Sequence, residues 1–231
     1  MFCRQMVSPR QTPGRQCEAS GCNRPASGYR NLCEVHRKHA DRHGHPEQKA
    51  VSMRDVRRHR REVEAYIDRR PDRERVWTLL EEHWTALAEN ALGQLREMTL
   101  NSKAYHKYTK IALESVRNVN DLNEPRAIIA TLIGFIKLWH ERPQAFLSDR
   151  TARFQFARVL RRLAPQVHTS KYARNQTVYK ETPPRASNKL GEILFKHFLP
   201  VGLNVVRQME REEEAERERV KSLYRVLREH E

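Results

Sequence analysis

A mostly α-helical fold is what three features of this sequence predict: a bundle of about six to seven helices, a small N-terminal cysteine and histidine module, and a long C-terminal helix. After Pro46, apolar residues recur at i, i+3, i+4 and i+7 spacing through most of the chain. Glycine is scarce, 8 in 231 residues, and no stretch reads convincingly as a strand. Prolines fall at the borders of the periodic segments, at Pro71, Pro125, Pro165, Pro183, Pro184 and Pro200. The expected organisation is a flexible stretch 1–15, a compact module 16–47, a helical domain 52–200 with a basic irregular segment near 165–187, and a helix over 202–231.

The module is read from CEASGCNRPASGYRNLCEVH, residues 17–36. The spacing is Cys17-x4-Cys22, ten residues, then Cys33-x2-His36. Two close-spaced pairs of thiolate and imidazole ligands, joined by a turn, are what a tetrahedral Zn²⁺ site requires. Gly21, Pro25 and Gly28 fit the turn, and a helix begun at Cys33 puts Cys33 and His36 on one face. A disulfide pairing suits the chain poorly, because MFCRQMVSPRQ has no apolar signal-peptide centre and no apolar run is long enough to span a membrane. A soluble, cytoplasmic protein is expected. Cys17, Cys22, Cys33 and His36 are therefore the expected metal ligands, with His39 or His43 as alternatives for the fourth, free thiols as the competing reading, and Cys3 an unligated thiol.

The run through HGHP resembles a small zinc module that recurs in phage and mobile-element proteins, including some HNH and homing endonucleases. Cys17, Cys22, Arg24, Pro25, Leu32, Cys33, His36, Arg42, His43, Gly44 and Pro46 carry the likeness, which covers only about thirty residues. It implies a metal-stabilised binding module from a mobile genetic context and does not itself imply cleavage. Asn31 departs from the pattern, which has glycine there.

Helices follow in order. Ser52 and Asp55 stand in capping-box order before SMRDVRRHRREVEAYIDRR, whose apolar positions Val56, Val63, Tyr66 and Ile67 are sparse. Pro71-Asp72 opens a core helix with Val76, Trp77, Leu80, Trp84, Leu87, Ala91, Leu92 and Leu95. The third carries Tyr105, Tyr108, Ile111, Ala112 and Val116. The fourth, capped by Asn123 with Pro125 in its first turn, is apolar on most of its circumference from Ile128 to Trp139 and belongs at the centre. Trp77, Trp84 and Trp139 all lie on apolar stripes and read as core. Ser148 caps a fifth helix ending before Pro165. Ser187 is expected to cap a short helix over Leu190–Phe198, which Pro200-Val201-Gly202 should break. The last helix has apolar residues at both ends, Leu203, Val206 and Met209, then Val220, Leu223, Tyr224 and Leu227, around a charged centre. That far stripe must fold back or meet a protein partner, including a second copy of the chain.

Charge points to a polyanionic partner. The net charge is +15, with 18 Lys/Arg against 10 Asp/Glu in residues 1–75 and 18 against 7 in residues 100–206. Such an excess favours nucleic acid, DNA ahead of RNA, over a membrane surface. The expected phosphate contacts are Arg24, Arg30, Arg37, Lys38 and Arg42 of the module, Arg54, Arg57, Arg58 and Arg61 of the following helix, and Arg161, Arg162, Lys171 and Arg174 further on. From 150 to 196, 11 basic residues against 2 acidic are interleaved with Phe154, Phe156, Tyr172 and Tyr179, a composition suited to backbone tracking and base stacking.

Catalysis has little support. The sequence holds no HNH set, no H-E-x-x-H, no Gly-rich phosphate loop and no convergent carboxylates. The Arg-x4–6-His pattern of HEPN-type ribonucleases is met at Arg54–His59, Arg30–His36, Arg162–His168 and Arg225–His230, too often in an arginine-rich chain to be informative. The function expected is non-catalytic nucleic-acid binding. The alternative is an adaptor or inhibitor docking on a nucleoprotein complex, and a lesser one is a HEPN-like ribonuclease.

Overall fold

The computed structural model describes residues 15–28, 31–100, 106–164, 167–169, 177–179 and 182–229. Two compact units are present, Met1–Gln48 and Lys49–Glu231. The first holds α1 (Glu34–His43). The second holds α2 (Met53–Asp68), α3 (Arg73–Leu100), α4 (Lys107–Leu122), α5 (Pro125–Glu141), α6 (Asp149–Arg161) and α7 (Pro184–Glu229). A 3-10 turn, Pro143–Ala145, links α5 to α6. The predicted helical class is observed. An addition is a short antiparallel hairpin, β1 (Val167–Thr169) with β2 (Thr177–Tyr179), inside the segment read as irregular.

Helix α5 is the axis of the second unit. Every residue from Ile128 to Leu138 is buried, and α2, α3, α6 and α7 all pack on it. A helix apolar all round finds this position because each fully buried Ile, Leu or Phe contributes about 1.5–3 kcal/mol. Gly134 sets the spacing to α2: a Cβ there would lie 2.7 Å from the backbone nitrogen of Arg60. On the other side Phe135 stacks on Phe156 with ring centroids 4.9 Å apart and meets Phe146 edge-on. Trp77 and Trp84 are core as expected, and each buried indole N–H is satisfied, by Asp68 Oδ1 at 3.0 Å and Asn120 Oδ1 at 2.9 Å. Trp139 is half-buried, against Phe195.

Caps follow the sequence in two of four cases. Ser52 and Ser148 accept the backbone N–H groups of Asp55 and Thr151. Asn123, expected to start α5, instead ends α4, where its amide donates to the carbonyls of Val119 and Leu163, and Glu124 holds the N-cap position. Ser187 lies within α7 rather than before it, because Pro184 in the first turn starts the helix earlier.

The largest correction is that α7 runs unbroken through Pro200 for 46 residues. Proline denies an N–H to the carbonyl one turn back and crowds that turn, so a sequence argument breaks the helix there. Here His83 of α3 donates its Nε2–H to the exposed carbonyl of His197, and Phe198 is buried against Trp84 at a centroid distance of 6.5 Å. The carbonyl that loses its partner to Pro200 is that of Lys196; His83 bonds the next carbonyl, and the burial of Phe198 holds this turn on the bundle, so the helix continues.

Candidate metal centre and arginine cavity

Among the described residues, the first unit has a core of Cys17, Ala19 and Cys33, with Cys22 and Leu32 packed on it. Its backbone is pinned instead. Cys17 N–H donates to the Arg24 carbonyl at 3.0 Å and Ala26 N–H to the Arg15 carbonyl at 2.7 Å, forming a tight knuckle around Cys22. Gly21, at φ +68°, makes the reversal that an L side chain there would strain. Glu18 N–H donates to the Asn31 carbonyl at 2.9 Å, so the residue that departs from the resemblance closes the module through its backbone. Cys33 is the N-cap of α1, and His36 lies one turn on, as its spacing predicts.

These elements bring together one atom each from Cys17, Cys22, Cys33 and His36, all within 4.8 Å of one another. His36 Nδ1 is 3.3 Å from Cys17 Sγ and 3.4 Å from Cys33 Sγ. Ideal tetrahedral zinc geometry places S and N ligand atoms about 3.6 Å apart, so the spacing suits one metal ion to within a few tenths of an ångström. None of the three cysteines is in a disulfide. Burial pushes the Cys17 thiol up, but hydrogen bonds from the Cys33 and Ala19 backbone and from His36 outweigh it and bring it down to about 6. Cys22 moves the other way: a hydrogen bond from the Arg24 backbone lowers it, and burial together with the two neighbouring sulfurs raises it further. His39 and His43 face each other, rings 4.4 Å apart, and are not in the four-ligand cluster.

No known protein family, curated protein or solved structure matches the chain. Residue chemistry alone therefore carries the functional argument.

The expected cationic residues divide. In the module, Arg24 and Arg42 are exposed, Lys38 pairs with Glu34 at 2.7 Å, and Arg37 is half-buried with its Nε lacking a hydrogen-bond partner. On α2, Arg54, Arg57, Arg58 and Arg61 are exposed, Arg58 being held to Glu62 at 3.1 Å. Arg30, Lys171, Arg174 and Cys3 lie outside the described residues, as does Tyr105, and so do the side chains of Tyr172, Tyr179 and Leu227. The stacking role expected of Phe154 and Phe156 is overturned: they are 2 % and 0 % exposed, because α4, α5 and α7 all cover α6.

Two groupings were not legible in the sequence. The first is a cavity of about 230 Å³ lined by Met53, Val56, Arg57, Arg60, Thr131, Arg162 and Leu163. Arg57 and Arg60 come from α2, and Arg162 follows α6, where it donates to the Val51 carbonyl at 2.9 Å. Arg158 and Arg161 stand on the same last turn. Burial, then the charges of Arg162 and Arg161, push the Arg158 guanidinium down to about 10, and burial lowers Arg161. No carboxylate lines the cavity, but Arg60 is paired with Glu64 at 2.7 Å, which leaves Arg57 and Arg162 as its charged groups without a carboxylate in the lining. The second is an ionic cluster between α2 and α5. Lys137 bridges Glu62, at 3.1 Å, and Glu141, while His59 lies 3.2 Å from Glu62 and 3.6 Å from Glu141. His59, the histidine of the Arg54–His59 pattern, is 2 % exposed and committed to this cluster. Lys137 Nζ already neutralises the two carboxylates a cation would use, so the cluster reads as an ion-pair network. Among the described residues no helix is long and apolar enough to cross a membrane.

Proposed function

We propose that this protein binds nucleic acid through phosphate contacts, without catalysing a reaction on it, and that a Zn²⁺ ion held by Cys17, Cys22, Cys33 and His36 organises its N-terminal module. The observation that carries the binding proposal is the arginine cavity. Arg57 and Arg162, more than a hundred residues apart, meet beside Arg158 and Arg161 with no acidic residue lining the space between them. Arg57 and Arg162 are exposed at this space while Arg158 and Arg161 beside it are half-buried, and like charges gathered in this way repel one another, a repulsion that an anion relieves. A phosphate group takes planar guanidinium donors bidentately, and a chain at +15 supplies the long-range field that steers a polyanion to such a site. Exposed Arg54, Arg58 and Arg61 on α2 extend the cationic surface of the second unit, and the module separately carries exposed Arg24 and Arg42. The ion would supply folding energy to a module whose described residues form a small apolar core, and it takes no part in any reaction step. The phage or mobile-element setting implied by the sequence resemblance belongs to this proposal and rests on that likeness alone.

The test is fluorescence anisotropy with labelled duplex DNA, and with single-stranded RNA of the same length, across a salt series. Log affinity is expected to fall linearly with log salt for DNA, and the R57A/R162A variant to lower the slope by about two. A flat salt response, or an unchanged slope in the variant, would overturn the proposal. Tighter binding to the RNA would retain the phosphate site and reverse the preference for DNA.

A further inference from the structure

Beyond Met209, helix α7 leaves the bundle. Its last ties are Glu210 to His140 at 3.1 Å and Glu212 to Tyr66 and Arg70 at 2.8 and 2.9 Å. From Glu210 to Arg225 every side chain is exposed. The projecting length, residues 210–229, is about 30 Å at the helical rise. A solitary solvated helix has no use for an apolar stripe, yet Val220, Leu223 and Tyr224 are 41 %, 63 % and 65 % exposed on it.

Charge along the projection falls into two blocks. Residues 210–216 hold five glutamates, Glu210, Glu212, Glu213, Glu214 and Glu216, against Arg211. Residues 217–225 hold Arg217, Arg219, Lys221 and Arg225 against Glu218. A helix acidic in one half and basic in the other is complementary to itself only when two copies run antiparallel. Side by side in the same direction, glutamates would face glutamates and arginines arginines, which is unfavourable. Pairing about a two-fold axis near Arg217 sets Glu210 level with Arg225 of the second copy, Glu214 with Lys221 and Glu216 with Arg219. The same alignment brings Leu223 and Tyr224 to the level of Glu212 and Arg211.

That level holds a cavity. Tyr66, Arg69, Arg70 and Pro71, at the end of α2, and Met209, Glu212, Glu213, Glu216 and Arg217 of α7 line a space of about 550 Å³. Pro71 is exposed at this space and Tyr66 and Met209, 8 % and 2 % exposed, form its walls for the incoming Leu223 and Tyr224, while Glu213 and Glu216, exposed on the same stretch, meet the arriving basic half. The ion pairs these charges now make within the helix, such as Arg217–Glu213, Arg219–Glu216 and Lys221–Glu218, are exposed, so little stability is lost on exchanging them. We infer that α7 is an antiparallel homodimerisation arm whose apolar tip seats in the Tyr66/Pro71/Met209 cavity of a second copy. An isologous contact of this kind closes on itself and stops at two chains. It is independent of the arginine cavity, of which each copy carries one.

Sedimentation equilibrium of the full chain, with far-UV circular dichroism as the folding control, provides the test. Wild type is expected as a dimer. E210K/E214K/E216K and R219E/K221E/R225E each make the arm nearly uniform in charge and are expected to be monomers with unchanged helicity. The sixfold variant joining both sets restores antiparallel complementarity and is expected to dimerise again. A monomeric wild type overturns the inference. So do triple variants that remain dimers, the outcome for a parallel pairing, and so does a sixfold variant that stays monomeric.

Discussion

Replacing Lys137 with methionine isolates the ion-pair network on the central helix. The Lys137 side chain is 10 % exposed, and its ammonium lies between Glu62, 36 % exposed, and Glu141, 34 % exposed. Burial pushes that ammonium down, but the hydrogen bonds it donates to Glu141 and Glu62 outweigh it and hold it above the ordinary lysine value. Glu62 is raised by burial and brought below the ordinary carboxylate value by Lys137, Arg58 and His59. Methionine keeps the volume and removes the charge, leaving Glu62 with Arg58 and His59, and Glu141 with only His59 at 3.6 Å. Breaking a fully buried pair costs about 3–5 kcal/mol; with both carboxylates about a third exposed, solvent screening reduces the expected loss to about 2 kcal/mol at pH 7. The pH dependence gives a second readout. In wild type the depressed carboxylate contributes stability above its unfolded value and loses it as pH falls through the lower folded one. The raised ammonium contributes below its unfolded value and loses stability only as pH rises through the higher folded one, so wild type is flat between about pH 5 and 9 and weakens in acid. In K137M the Glu62 carboxylate loses the ammonium that helps hold it down and is left facing Glu141, so its folded value rises and protonation on acidification relieves the repulsion. Urea unfolding at pH 7 and pH 5 should therefore show K137M recovering stability at the lower pH. A variant as stable as wild type at pH 7, or one that weakens on acidification as wild type does, would refute the reasoning.

Two further outcomes follow from the same structure. Chelation, or C33S, is expected to unfold the Met1–Gln48 unit alone, because the second unit has its own core; differential scanning calorimetry should lose one transition, and inductively coupled plasma mass spectrometry of the untreated protein should give one zinc per chain. His83→Ala removes the donor to the His197 carbonyl beside Pro200 and is expected to cost about 1 kcal/mol; hydrogen exchange should rise around residues 197–201, and His83→Ala/Pro200→Ala should recover most of the loss.

The helices themselves were legible because their cause is local. The 3.6-residue period of α3 and α5, the Ser52 and Ser148 caps and Pro125 at a first turn each act within a few residues of the atoms they control, so the sequence order already contains them. The Cys3His cluster was legible for the same reason: its four residues lie within twenty positions, and one helical turn joins the last two. Where the reading failed, a partner distant in sequence decided the outcome. Pro200 ought to end a helix, and α7 continues because Phe198 beside it is buried against Trp84, more than a hundred residues earlier. Phe154 and Phe156 stand among arginines in the chain and in the core in space, since burial depends on which helices cover α6.

Residue chemistry and periodicity by themselves determined a helical bundle, a Cys3His cluster and an excess of positive charge. Tertiary structure alone decided that Arg57 and Arg162 share a cavity, that Lys137 is clamped between two glutamates on a helix that reads as apolar, and that the end of α7 projects from the bundle. The difference is one of range. Hydrogen-bond geometry and side-chain period act over one or two turns, whereas the distance between two charges, and the water between them, is set only when helices far apart in the chain are packed together.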